Sequence, residues 1–343
     1  MSKKGNRILV IGVLVIGVII FIITMFNTLP SDLTKLSGKQ IDTSSTVTPV
    51  DEEETSDIKY SIDDTNKYIG VESDNPSVIK NTFHNDINLI GWTVDLSKST
   101  SYEDKLVQSL EKHSFTSFIT LEPNNMSLTA IAEGIYDDRF ESFFEEVTKG
   151  TRKETELFVC FAPEMETRPS QLTNWNTWQS DYASRYVKAY RHVVELAREK
   201  APNIKWVWSP TRADVYTKAY YPGSSYVDYV GVSANNYSDT YATFSSFISA
   251  EGREDFLKAY NKPIIFTECG EASKDEALKT KYIKSIFSYI KNNDDVIGAV
   301  FKDTDINETQ TYQFSDNADQ LEVFKNECIK LADTERGGLS ESN

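Results

Sequence analysis

Leu157–Glu164, LFVCFAPE, is followed by Asp181–Lys200, DYASRYVKAYRHVVELAREK, and then by Ile204–Pro210, IKWVWSP. The outer two pieces are short, apolar and rich in aromatic and β-branched residues, which is how a strand buried on both faces reads. The middle piece has another period. Tyr182, Tyr186, Ala189, Val193 and Leu196 recur at helical spacing, making one stripe meant for core packing. A strand, a crossover helix and a second strand in this order build a parallel sheet.

The pattern repeats outward from this unit. Eight β-rich runs can be counted from Lys67 onward: 68–72, 88–94, 116–122, 157–164, 204–210, 227–233, 263–268 and 296–302. Amphipathic stretches such as YEDKLVQSLEKH and DDRFESFFEEVTKG lie between them. Eight strands with eight helical segments predict a closed (β/α)8 TIM barrel over residues 65–333, with a flexible tail at 334–343. The first turn, GVESDNPS, has too few glycines for a dinucleotide-binding loop.

Residues 8–26 are a charge-free apolar run preceded by Lys3, Lys4 and Arg7. That length spans about 30 Å of hydrocarbon as a helix. With positive charge before it, the expectation is a signal-anchor: residues 1–7 cytoplasmic, 8–26 transmembrane, the rest outside. A cleaved signal peptide is the alternative, but the run is longer than an ordinary signal core and no small-x-small site follows. Residues 27–64, with SSTVTPVDEEETSD, have no sustained periodicity and read as a disordered extracellular tether.

A net charge of −16 over 343 residues, with no basic cluster beyond the first seven, argues against nucleic acid. Three widely spaced cysteines, Cys160, Cys269 and Cys328, have neither disulfide density nor metal-ligand spacing. They are expected as free thiols, Cys160 and Cys269 inside the barrel wall. His84, His113 and His192 fall in helical segments and build no metal cluster, and no cofactor is expected.

In a barrel of this kind the chemistry lies at the C-terminal ends of the strands. Glu122 closes the third run in FITLEP, Glu164 the fourth in APEM and Glu268 the seventh in KPIIFTECG. By alternation Phe158, Cys160, Ala162 and Glu164 share a face, as do Ile264, Phe266 and Glu268, so both glutamates are expected in the mouth. Glycosidic cleavage needs two carboxyls across the scissile bond, and Glu164 and Glu268 can supply them; a structural ion-pair role is the other reading.

The order of strand endings resembles glycoside hydrolase family 26, the β-mannanase-like retaining barrels. The similarity covers roughly residues 65–330 through FITLEP, IAEGIYDDRFESFFEEV, APEM, IKWVWSPTRAD, YYPGSSYVDYVGV and KPIIFTECGEA. It implies Glu164 as acid/base and Glu268 as nucleophile. The residue before the acid/base, usually His in the family, is Pro163, and the usual Asn two after it is Glu166. Asn235, Asn236 or Tyr237 stand where the family commonly has an Asp and a Tyr. These departures bear on substrate: a β-1,4-glucan, including cellulose made by the same cell, is as plausible as mannan.

The expected reaction is double displacement with retention by an endo-acting enzyme, Glu164 starting protonated because burial and a nearby negative charge raise its pKa. Trp92, Trp175, Trp178 and Trp208 offer flat faces to pyranose rings. Trp175 and Trp178 are the favoured platforms, while Trp206 and Trp208 share a strand face that can simply pack the barrel. Arg212 reads as a carboxylate or sugar contact or as an ordinary ion pair. Glu122 reads as a sugar-hydroxyl acceptor or as a partner of Arg212 or a backbone amide. The expected partners are a polysaccharide, the membrane and an exopolysaccharide export machinery; the competing class is a non-catalytic polysaccharide-binding protein on a degenerate barrel.

Overall fold

The computed structural model describes residues 65–341 apart from 74–75, 99–114, 151–156, 168–175, 180 and 238–239. The expected cytoplasmic segment, anchor and tether (1–64) and Trp175 lie outside these residues. Among the described residues no helix is long and apolar enough to cross a membrane.

Eight parallel strands close in chain order: β1 (Tyr68–Glu72), β2 (Leu89–Asp95), β3 (Thr116–Glu122), β4 (Leu157–Phe161), β5 (Ile204–Trp208), β6 (Tyr229–Tyr237), β7 (Ile264–Ala272) and β8 (Val296–Lys302). Closure pairs β1 with β8, setting Glu72 beside Lys302. A Cβ on Gly298 would lie 1.8 Å from the Tyr68 carbonyl oxygen, so that seam requires a glycine.

The helices are α1 (Pro76–Phe83), α2 (Leu128–Ala132), α3 (Asp137–Gly150), α4 (Ala183–Lys200), α5 (Phe244–Ser249), α6 (Arg253–Lys258), α7 (Glu276–Lys291) and α8 (Ala318–Glu341). Two details depart from the sequence expectation. The β5–β6 connection holds only a 3₁₀ turn, Thr217–Tyr220, because Pro222 and Gly223 follow and interrupt any helix. The C-terminal helix also continues to Glu341, past the expected boundary at 333. Gly337 and Gly338 make that stretch read as a stop although the backbone stays helical. A hairpin of β9 (Asp305–Asn307) and β10 (Gln310–Thr311) is inserted after β8.

Two apolar layers hold the barrel. Inside it, Leu89, Phe118, Phe158, Cys160, Val207, Ile265 and Val300 pack as one cluster. Phe158 is its centre, edge-on to Tyr68 and Tyr229 at 5.0 and 5.2 Å and stacked on Phe118 at 6.2 Å, geometry each worth about 1 kcal/mol beyond burial. Outside, alternate strand residues such as Trp206, Trp208, Ile264 and Phe266 meet the helices. The α4 stripe supplies Tyr186, Ala189 and Val193 to this layer, but Tyr182 caps the helix and is exposed. Cys160, Cys269 and Cys328 are buried free thiols.

Candidate active site

Neither glutamate reaches the mouth by simple alternation. On β4 the alternation holds for Phe158 and Cys160, after which the strand ends at Phe161 rather than running on to Glu164. Ala162 and Glu164, flanking Pro163, both take left-handed backbone angles, φ 47° and 56°. Such angles are costly outside glycine and mark a turn held by its surroundings. Its holders are visible: the Glu164 amide donates to Ser209 O (2.9 Å), and the Trp178 indole N–H donates to Pro163 O (2.8 Å).

On β7 the alternation points the other way, since Ile264 and Phe266 face the helices and Ile265 faces the interior. A bulge corrects this. Val232 pairs with Phe266 and Ser233 with Glu268, so Thr267 is an extra residue. It turns Glu268 into the mouth, while buried Thr267 hydrogen-bonds Ser209 through hydroxyls 2.6 Å apart.

The two carboxyls sit in opposite electrostatic settings. Glu164 is pushed up to about 7, first by burial and then by the charge of Glu268. Thr211 Oγ1 donates to its Oε1 (3.2 Å) and Gln179 Nε2 to its Oε2 (3.4 Å). Burial pushes Glu268 up as well, but Lys302 outweighs it and leaves the carboxyl below its ordinary range. Lys302 Nζ lies 2.8 Å from Glu268 Oε2, with both side chains largely buried, and Asn235 Nδ2 donates to the same oxygen at 3.0 Å. At neutral pH one carboxyl is ready to give a proton while its neighbour is an anion.

Lys302 and Glu72 were not singled out from the sequence, although each ends one of the eight counted runs. Burial, then Glu268, raises Glu72 to about 7. Glu122 is raised to about 7 by burial, and Asn124 Nδ2 donates to its Oε2 (2.9 Å). It does not pair with Arg212. Glu72, Thr93, Glu122, Glu268, Lys302 and Ile306 line a cavity of about 330 Å³.

Arg212 instead binds Asp214, 2.5 Å away. Its amide, with that of Thr211, donates to Glu166 Oε1 (2.6 and 2.9 Å), so buried Glu166 ties the Glu164 turn to the loop after β5. Asn236 is buried and donates to Glu271. Tyr237 is exposed at the end of β6, edge-on to Tyr312 at 6.4 Å, and burial of its hydroxyl end raises it to about 12.

The tryptophan expectations need correction. Trp92 and Trp208 occupy outward strand positions in the helix-facing layer, because Leu89 and Val207 take the interior parity. Trp208 packs edge-on to Tyr221 and Tyr260 at 5.1 and 5.3 Å. Trp178 is fully buried as the support of the Pro163 turn. None of the three presents a ring to a sugar.

Comparison with known proteins agrees with this architecture. Over 240 residues the chain is 27% identical to Endoglucanase H of Acetivibrio thermocellus, and over 142 residues 32% identical to a mannan endo-1,4-beta-mannosidase of Bacillus subtilis. The matches cover 63% and 38% of this chain but only 25% and 36% of those relatives' lengths. An endo-β-1,4-mannanase structure from Cellulomonas fimi superposes with a TM-score of 0.59 at 14% identity, over 78% of this chain and 72% of that one. The YdhT protein of Bacillus subtilis gives 0.53 at 17%, over 77% and 87%. Residues 107–309, more than half of the sequence, match the family described as Glycosyl hydrolase family 26, and the chain belongs to it.

Proposed function

We propose that the protein is an endo-acting, retaining glycoside hydrolase that cleaves an extracellular β-1,4-linked glucan or mannan. The observation that carries this is the charge asymmetry of one pair: Glu268 held ionised by Lys302, Glu164 held protonated toward neutrality. In the first step Glu268 attacks the anomeric carbon while Glu164 gives its proton to the leaving oxygen. Glycosylation removes the negative charge of Glu268, so the Glu164 pKa falls. Glu164 then takes a proton from the water that releases the sugar.

The apolar run at 8–26, the tether at 27–64 and the polymer specificity belong to the same proposal: a membrane-held enzyme acting outside the cell on a polymer exported nearby. Curated relatives named as an endoglucanase and a mannosidase support both polymers as candidates. The test incubates protein with cellulose, mixed-linkage glucan and mannan and measures new reducing ends, with product anomers read by NMR. Binding without any new ends would make this a polysaccharide-binding protein instead; initial products of inverted configuration would refute the double displacement. Glu164→Gln or Glu268→Gln retaining wild-type rates would refute the roles assigned here.

A further inference from the structure

The mouth is chemically lopsided. On the side of β8, β1, β2 and β3 it is a polar cavity with Glu72, Thr93 and Glu122 in its wall. On the side of β4 and β5 the loops carry exposed apolar side chains: Tyr182 is 70% exposed, Val215 74% and Tyr216 66%. Isolated exposed apolar residues need no explanation, but these three lie on neighbouring loops at the C-terminal face.

Each ring has an arginine beside it. The guanidinium of Arg185 sits 4.7 Å from the Tyr182 ring centre and pairs with Asp181 at 3.0 Å. Arg212 lies 6.0 Å from the Tyr216 ring centre and pairs with Asp214, whose Oδ1 also accepts from the Tyr216 amide (2.9 Å). The two loops are joined, because Tyr220 Oη donates to Asp181 O at 2.9 Å. The β5 loop reaches the acid position directly through the Thr211–Glu164 hydrogen bond. Fixing an aromatic ring in water before any ligand arrives lowers the entropy cost of stacking on it.

Resting on the hydrolase reading, we propose that Tyr182, Val215 and Tyr216 form a platform for the sugar units on the leaving-group side of the scissile bond. Glu164 protonates the leaving oxygen, so the departing chain runs outward past β4 and β5. Pyranose rings have apolar faces that lie flat on tyrosine rings. The polymer is therefore gripped by aromatic faces on the departing side and by hydrogen bonds in the polar cavity on the other.

The experiment uses the full chain with Tyr182→Ala, Tyr216→Ala and Tyr216→Phe. Substrates are soluble β-1,4-mannan and hydroxyethylcellulose, compared with nitrophenyl β-mannobioside and β-cellobioside, which place no sugar on the leaving side. On the polymer that the wild type cleaves, each alanine variant should lose about five- to tenfold in kcat/KM. Its rate on the nitrophenyl glycoside should not change, and Tyr216→Phe should keep polymer activity. Equal losses on both substrate types, or none on the polymer, overturn the platform.

Should the wild type cleave none of them, the hydrolase reading fails, and gel retardation by the same two polymers judges the platform. Retardation lost in the alanine variants supports it. Retardation retained there, or absent in the wild type, overturns it.

Discussion

Replacing Lys302 with Gln removes the charge that keeps Glu268 ionised. The pair is 2.8 Å apart, with the two side chains only 16% and 17% exposed, so water makes up only part of the lost interaction. Leaving a buried charge unpaired costs about 3–5 kcal/mol, equivalent to about two to three and a half pKa units. Lys302 holds Glu268 below its ordinary range, and without that charge its carboxyl would rise toward Glu164. Attack needs Glu268 ionised, so the acid limb of kcat/KM moves up by about two units or more. The ionised fraction therefore falls steeply at acid pH and little at neutral pH and above. The alkaline limb, set by Glu164 near 7, rises much less, because the Lys302 charge is only a minor part of what sets that group's pKa. A pH–rate profile on a soluble oligosaccharide reads both limbs, and Lys302→Arg, which keeps the charge, should hold the acid limb close to wild type. An acid limb that stays put in Lys302→Gln, or a loss uniform across pH, would refute the reasoning.

Three further substitutions test the surrounding assignments. Glu122 has its folded midpoint raised from 4.5 to about 7 by burial, so it costs the fold nothing below pH 4.5 and progressively more as pH rises toward 7. Glu122→Gln should therefore stabilise by up to about 3 kcal/mol at pH 8 and by none at pH 4 in urea unfolding; an equal gain at both would exclude titration as the cause. Glu166→Ala frees the amides of Thr211 and Arg212 and should cost about 2–4 kcal/mol, with kcat falling more than KM rises because the Glu164 turn loses its tie. Trp208→Ala should cost about 3–5 kcal/mol with KM unchanged; a raised KM at unaltered thermal stability would return this ring to the substrate.

Periodicity was enough to find the barrel because each barrel strand carries a buried apolar run and the main helices, such as α4 and α7, carry an apolar stripe. The first, third and eighth runs match β1, β3 and β8 at both ends. Errors appear where side-chain pattern and backbone part company. Nothing in LFVCFAPE shows that the strand stops at Phe161, since Ala162 and Pro163 continue the apolar run while turning out of the sheet. β6 and β7 extend beyond their expected ends because Asn235, Asn236 and Glu271 are polar yet buried, paired with one another or with Glu268 instead of with solvent. Polarity marks a strand end only when the polar group meets water.

The two mouth glutamates were legible for a reason that the structure revises. Strict alternation would have turned Glu268 toward the helices beside Ile264 and Phe266; the extra residue at Thr267 brings it to the mouth. What the sequence left out, Lys302 and Glu72, stand 230 positions apart and become neighbours only when β8 closes on β1. Strand ends viewed one at a time give two similar glutamates and no basis for telling donor from anion. Closure supplies the difference, because β8 lies beside β7 and delivers its terminal lysine to Glu268, while Glu164, in the turn after β4, is left with neutral donors from Thr211 and Gln179. The division of labour between two identical side chains is thus a property of the closed ring of strands.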